Sequence, residues 1–110
     1  MENKATLKIM SYNIHKGFAK KKLSIQSIKE EILFNDPDII FLQEVQGEHK
    51  KHECHKKYKE NWPKYSQHDF LGQEKWDNRI YGKNAIYEHG HHGNAILSKY
   101  PIINSFNYNV

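Results

Sequence analysis

Cysteine is nearly missing from this chain. Cys54 stands alone among 110 residues, so no disulfide can form within the chain, and a reducing compartment fits. Apolar residues are also scarce. They make up 37% of the sequence, and the mean hydropathy is −0.92, polar for a compact single domain. That balance predicts a loop-rich domain or a piece of something larger. No stretch approaches the roughly 18 apolar residues of a membrane-spanning helix. Met1-Glu2-Asn3-Lys4-Ala5-Thr6 contains no apolar core of a signal peptide. The expectation is a soluble, cytoplasmic protein. The Gly-x-Ser-x-Gly elbow, the phosphate-binding loop of nucleotide hydrolases and the dinucleotide fingerprint are all missing.

What is present suits one domain that can bury roughly two-thirds of its unfolded surface. The formal charge is +4, from 17 basic and 13 acidic residues, which favours anionic partners such as phosphates. Eight histidines add positive charge below about pH 6.5. His52-Glu53-Cys54-His55 has the wrong spacing for a zinc helix, because the second histidine would have to stand at Lys56. His49, His52 and His55 recur every third residue and can meet on a helix face. No second cluster completes a zinc site with them, so a solvated polar helix is the simpler reading. Cys54 has no positioned base beside it.

The chain order is strand, helix, strand. Residues 6–13 read as a first strand, with Leu7, Ile9 and Ser11 on one face. The basic stretch 19–22 reads as a solvated loop. Ser24 can cap a helix in which Ile25, Ile28, Ile32 and Leu33 share a face, with Lys29, Glu30 and Glu31 outside. Asp36-Pro37 ends it. Residues 39–42, all apolar, then read as a strand buried on both faces. A right-handed βαβ unit follows, with a parallel pair whose ends, Asn13 and Glu44, share one sheet edge. Residues 47–59 read as a surface helix, and residues 65–76 as another short one. Residues 80–87, 94–98 and a strand from Ile102 read as an antiparallel meander, with a turn at residues 89–93.

Glu44 appears where the apolar run stops. A carboxylate at the end of a buried strand is costly unless something pairs with it, and a hard divalent cation would do so. The plainer alternative is the first solvated residue past the strand.

Three motifs, in order, change that balance: Ser11-Tyr12-Asn13-Ile14-His15-Lys16-Gly17, Phe41-Leu42-Gln43-Glu44-Val45 and Gly93-Asn94-Ala95-Ile96-Leu97-Ser98-Lys99-Tyr100-Pro101-Ile102. Together they resemble the N-terminal half of the endonuclease/exonuclease/phosphatase superfamily, the metal-dependent fold of DNase I, abasic-site endonucleases, inositol polyphosphate 5-phosphatases and neutral sphingomyelinases. Asn-Ile-His-Lys-Gly-Phe at 13–18, Glu-Asn-Trp-Pro at 60–63, Tyr-Gly-Lys-Asn-Ala-Ile-Tyr at 81–87 and Gly-His-His-Gly-Asn-Ala-Ile-Leu-Ser at 90–98 are similar to a bacterial subfamily of uncertain substrate, a resemblance that covers nearly the whole chain.

The resemblance implies an α/β (α+β) fold, with residues 1–110 forming the N-terminal part of a two-sheet β-sandwich flanked by helices. It implies Glu44 as ligand of a catalytic Mg²⁺ (Mn²⁺ as the alternative), with Asn13 beside the phosphate and the metal, orienting the catalytic groups. His15, His92 and Asn94 are candidates for the phosphate-facing mouth. Several family members carry an Asp where His15 stands. The family's remaining machinery lies in a Gly-Asp-x-Asn motif, whose Asp activates water, and a Ser-Asp-His motif, whose His contacts phosphate. Neither occurs in these 110 residues. The expectation is therefore a metal-dependent phosphoester hydrolase (nuclease, phosphodiesterase or phosphatase), inactive as this chain alone. The alternatives are a non-catalytic domain that binds nucleic acid or phosphate, and a purely structural α/β domain.

Overall fold

The computed structural model describes residues 6–19, 22–49, 66–87 and 90–107. Its main sheet has four strands: β1 (Ile9–Asn13), β4 (Ile39–His49), β5 (Asn78–Tyr87) and β6 (Gly90–Ser98), in the order β1-β4-β6-β5. A short antiparallel pair, β2 (Phe18–Ala19) and β3 (Lys22–Leu23), occupies the region expected to be loop. Two helices complete the described structure, α1 (Ile25–Asn35) and α2 (Gln67–Gly72).

The βαβ unit forms as the pattern dictates. Ile25, Ile28 and Ile32 are buried along one stripe of α1. Burying each contributes about 1.5–3 kcal/mol. Ser24 holds the N-cap position, but its side chain makes no capping bond; its Oγ lies 3.4 Å from the Gly17 carbonyl oxygen instead. The helix ends because Asp36 turns left-handed (φ 47°), its N–H donating to the Ile32 carbonyl at 2.9 Å. Pro37 follows, and its carbonyl accepts the buried Trp76 Nε1–H at 2.8 Å. The chain then runs β4 parallel to β1, pairing Ile9 with Ile39 and Asn13 with Gln43.

Among the described residues, the helices cover one face of the sheet. Ile40, Leu42, Ala95 and Leu97 are buried on the helix side, with Leu71 and Trp76 in the same core. The expectation that residues 39–42 are buried on both faces is corrected: the opposite face carries Ile9, 56% exposed, and Phe41, 38% exposed, with Ile39, Ile80 and Ile96 half-buried in register beside them. Lys29 is a second correction. It lies within the buried stripe of α1, its stem covered and its Nζ 3.1 Å from Glu74 and 4.3 Å from the centre of the Phe70 ring.

Backbone pairing carries the strands beyond their apolar cores. β4 continues through residues 47–49, which the sequence reads as helix, because β6 begins at Gly90 and pairs with it: Gln46 with His92, Glu48 with His91, His49 with Gly90. The expected turn at residues 89–93 is thus mostly strand, and the chain reverses between Tyr87 and Gly90. Residues 50–65, with His52, His55 and Cys54, lie outside the described residues. The strand expected from Ile102 does not form. Residues 101–107 have no regular structure; Ile103 is fully exposed, and Asn107 Nδ2 donates to the Lys83 carbonyl at 3.0 Å. Asn107 lies close over Gly82, where a Cβ would come within 2.7 Å of its side-chain Oδ1.

Candidate active site at the end of the parallel strands

Along the uncovered face the side chains change character. Ile9, Phe41 and Ile96 give way to Asn13, Gln43 and Asn94 at the end where β1 terminates. Asn13 and Gln43 are register partners, and Gln43 Nε2 donates to Ser11 Oγ and to the Phe41 carbonyl, each at 3.2 Å.

Here β4 departs from regular pairing. Leu42 opposes Ala95 and Val45 opposes Gly93, so Gln43 and Glu44 together face the single residue Asn94. This is a β-bulge. Glu44 sits in it with φ 52°, a left-handed conformation rare for a residue with a side chain. Such strain persists only where surrounding contacts over-determine it, and it concentrates at functional sites. The bulge re-aims Glu44 out of the strand's alternation. Its carboxylate is about half exposed, with Oε2 3.5 Å from His15 Nδ1.

His15 is itself left-handed (φ 49°) and lies in a single 3₁₀ turn, His15–Gly17, directly after β1. Its backbone N–H donates to Asn13 Oδ1 at 3.0 Å. Asn13, His15, Gln43, Glu44 and Asn94 therefore meet at one end of the sheet. His92 lies further along β6, opposite Gln46, rather than opposite the bulge. The residues gathered at this end are one carboxylate, Glu44, with His15 beside it, and the amide-bearing Asn13, Gln43 and Asn94 on the adjoining strands. Among the described residues no three His, Cys, Asp or Glu side chains gather into a metal-binding group.

The family description "Endonuclease/Exonuclease/phosphatase family" matches residues 10–109. The chain belongs to the endonuclease/exonuclease/phosphatase family. It is 41% identical over 99 residues to the uncharacterized protein YbhP of Escherichia coli K12, covering 88% of this chain and 38% of that protein. The same figures hold for YbhP of Shigella flexneri. The chain thus spans under two-fifths of the length of these relatives. A crystal structure of an endonuclease/exonuclease/phosphatase from Beutenbergia cavernae matches with a TM-score of 0.67 at 19% identity, over 90% of this chain and 27% of that one. The fold expected from the motifs is the fold observed. No described helix is long and apolar enough to cross a membrane.

A second polar cluster lies on the helix-covered side, and its composition gave no sequence signal. His68 stacks on Tyr81, ring centres 5.0 Å apart and planes within 4°. Tyr81 Oη lies 2.9 Å from His91 Nδ1. Asp69 accepts from Arg79 Nε at 2.9 Å and from Ser66 Oγ at 2.9 Å; burial pushes its carboxyl up, but these bonds outweigh it and hold the group below its ordinary value. Burial lowers the His68 pKa from its ordinary 6.5, Asp69 opposing the shift and Arg79 and His91 adding to it. The unfolded chain therefore takes up this proton first. His68 contributes full stability above about pH 6.5 and loses it as the pH falls towards the folded-state value. His68→Phe, which keeps the stack, is expected to flatten this part of the stability profile. Denaturant titrations of both proteins between pH 5 and 8 measure it. Identical slopes would assign the acid sensitivity to other groups.

Proposed function

We propose that the protein to which this chain corresponds is a divalent-metal-dependent phosphoester hydrolase, and that this chain carries the cation-binding side of its site. The carrying observation is Glu44, held on a strained bulge at the polar end of the uncovered sheet face with Asn13 on the adjoining parallel strand. Family membership supports the reaction class. Glu44 and Asn13 would hold Mg²⁺, or Mn²⁺ in its place. When bound, the cation supplies charge stabilisation to the phosphoryl oxygens.

The chain's own groups orient the rest. Asn13 Oδ1 is engaged by the His15 N–H, which fixes the amide plane and leaves Nδ2 as a neutral donor for a phosphoryl oxygen. Gln43, tied to Ser11 and to its own strand, supports the floor of the site. His15, in the turn after β1, and Asn94, on β6, border the mouth. His92, opposite Gln46, is the more distant phosphate-side candidate. No aspartate matching the family's water-activating motif is present in the sequence. The substrate class that fits is an accessible phosphodiester or phosphomonoester, nucleic acid among them.

The chain by itself is expected to bind a divalent cation and not to turn over substrate. Incubation with Mg²⁺ and plasmid DNA, RNA or a generic phosphodiester should give no product. Mg²⁺-dependent turnover that survives repurification would show that the attacking group lies within these 110 residues.

A further inference from the structure

We infer that Gln67 is a positioning residue for Glu44, acting through the backbone of β4. The bulge that aims Glu44 disrupts the β4–β6 ladder, and a second irregularity follows between Gln46 and Glu48. Between these two breaks the Gln46 N–H is buried and needs an acceptor. The acceptor comes from the neighbouring helix: Gln67 Oε1 on α2 takes this N–H at 2.7 Å. Both residues are essentially fully buried, at 0% and 1% exposure. Gln46 is held again through its side chain, Nε2 donating to the His91 carbonyl at 2.8 Å. On the other side of the bulge, the Gln43 carbonyl accepts the Ile14 N–H at 3.1 Å. The segment Gln43 to Gln46 is therefore pinned at both ends, with left-handed Glu44 between the pins.

The energetics favour a specific role over general packing. A buried N–H with no partner costs free energy comparable to a lost hydrogen bond, so without Gln67 the segment gains by shifting until Gln46 finds another acceptor. Glu44 lies two residues away in a strained conformation that relaxes when one pin is released. The bond Gln67 makes to β4 is to the Gln46 backbone, two residues past Glu44. Through that bond it acts on β4 from the helix-covered side of the sheet. Groups that orient a metal-binding side chain from behind typically govern affinity about 10–100-fold.

This inference rests on the cation-site reading, and the test separates the two. Hydrogen exchange by mass spectrometry on the whole chain at low temperature reports protection of the peptide containing Gln46. A Mn²⁺ titration followed by electron paramagnetic resonance reports cation affinity. Gln67→Leu removes the acceptor at similar volume and is expected to lose protection around Gln46 and about tenfold or more in Mn²⁺ affinity. Leu71→Ala loosens the same helix but keeps the acceptor. It should lower the melting temperature with affinity retained under folding conditions. Unchanged protection or unchanged affinity in Gln67→Leu overturns the inference, as does an equal loss of affinity in Leu71→Ala. Should wild type bind no Mn²⁺ while Gln67→Leu still loses protection at Gln46, the pin on the Glu44 segment is upheld and the cation reading falls.

Discussion

Glu44→Gln is expected to weaken Mg²⁺ binding and to lower kcat together in a protein of the relatives' full length. The substitution keeps the volume and removes the charge. Nothing else described in the mouth replaces it: Asn13, Gln43 and Asn94 offer only neutral amides, and His15 repels a cation when protonated. Loss of the carboxylate should cost more than the roughly 10–100-fold of an outer partner, and several kcal/mol of transition-state stabilisation when the cation neutralises developing charge. Asn13→Ala should behave differently. It releases the His15 N–H and the oriented amide, so turnover should fall more than metal affinity. His55→Ala, in the polar stretch outside the described residues, should do little. Mg²⁺ titration of activity across the three variants separates the cases. A Glu44→Gln enzyme with wild-type metal dependence, beside a His55→Ala enzyme that has lost it, would move the site to the histidine stretch.

The placement of Glu44 and Asn13 at one sheet edge was legible because two local signals coincide there: an apolar run that stops, and a helix of the right length before it that makes the two strands parallel. The bulge was not legible. It depends on how β4 pairs with β6, some fifty residues away, and Gln-Glu-Val-Gln alone carries no mark of a register shift. Gln67 escaped for the same reason: a glutamine in a polar stretch reads as solvated until the fold places it against the buried Gln46 N–H. The histidines misled in the opposite direction. His91 and His92, flanked by glycines, suggested a turn, yet pairing with β4 and β5 makes them strand residues. Lys29 shows the limit of binary patterning. Its long stem packs like a hydrophobe while its ammonium finds Glu74 and the Phe70 ring.

The isolated chain is expected to be poorly stable as a monomer and to associate through its uncovered sheet face. Ile9 and Phe41 stand exposed on that face, with half-buried Ile39 and Ile96 in register beside them, and the outer edge of β1 has no partner strand among the described residues. A contiguous apolar surface of this kind favours burial, by about 1.5–3 kcal/mol for each large side chain fully covered, and an open edge invites a further strand. Association that stabilises the folded state makes the melting temperature rise with protein concentration. Thermal unfolding at two concentrations, with sedimentation velocity on the same samples, tests this. Ile9→Ser combined with Phe41→Ser should reduce association while leaving the helix-side core intact, because neither side chain reaches Ile40, Leu42 or Leu97 on the opposite face. The two-sheet sandwich implied by the family resemblance supplies the natural cover, so a polypeptide carrying the remaining length of the relatives, co-expressed in trans, should raise the melting temperature and suppress self-association. A sharp, concentration-independent, two-state transition in a monomer would mean that the one-sided sheet is self-sufficient and that its apolar face needs no second layer.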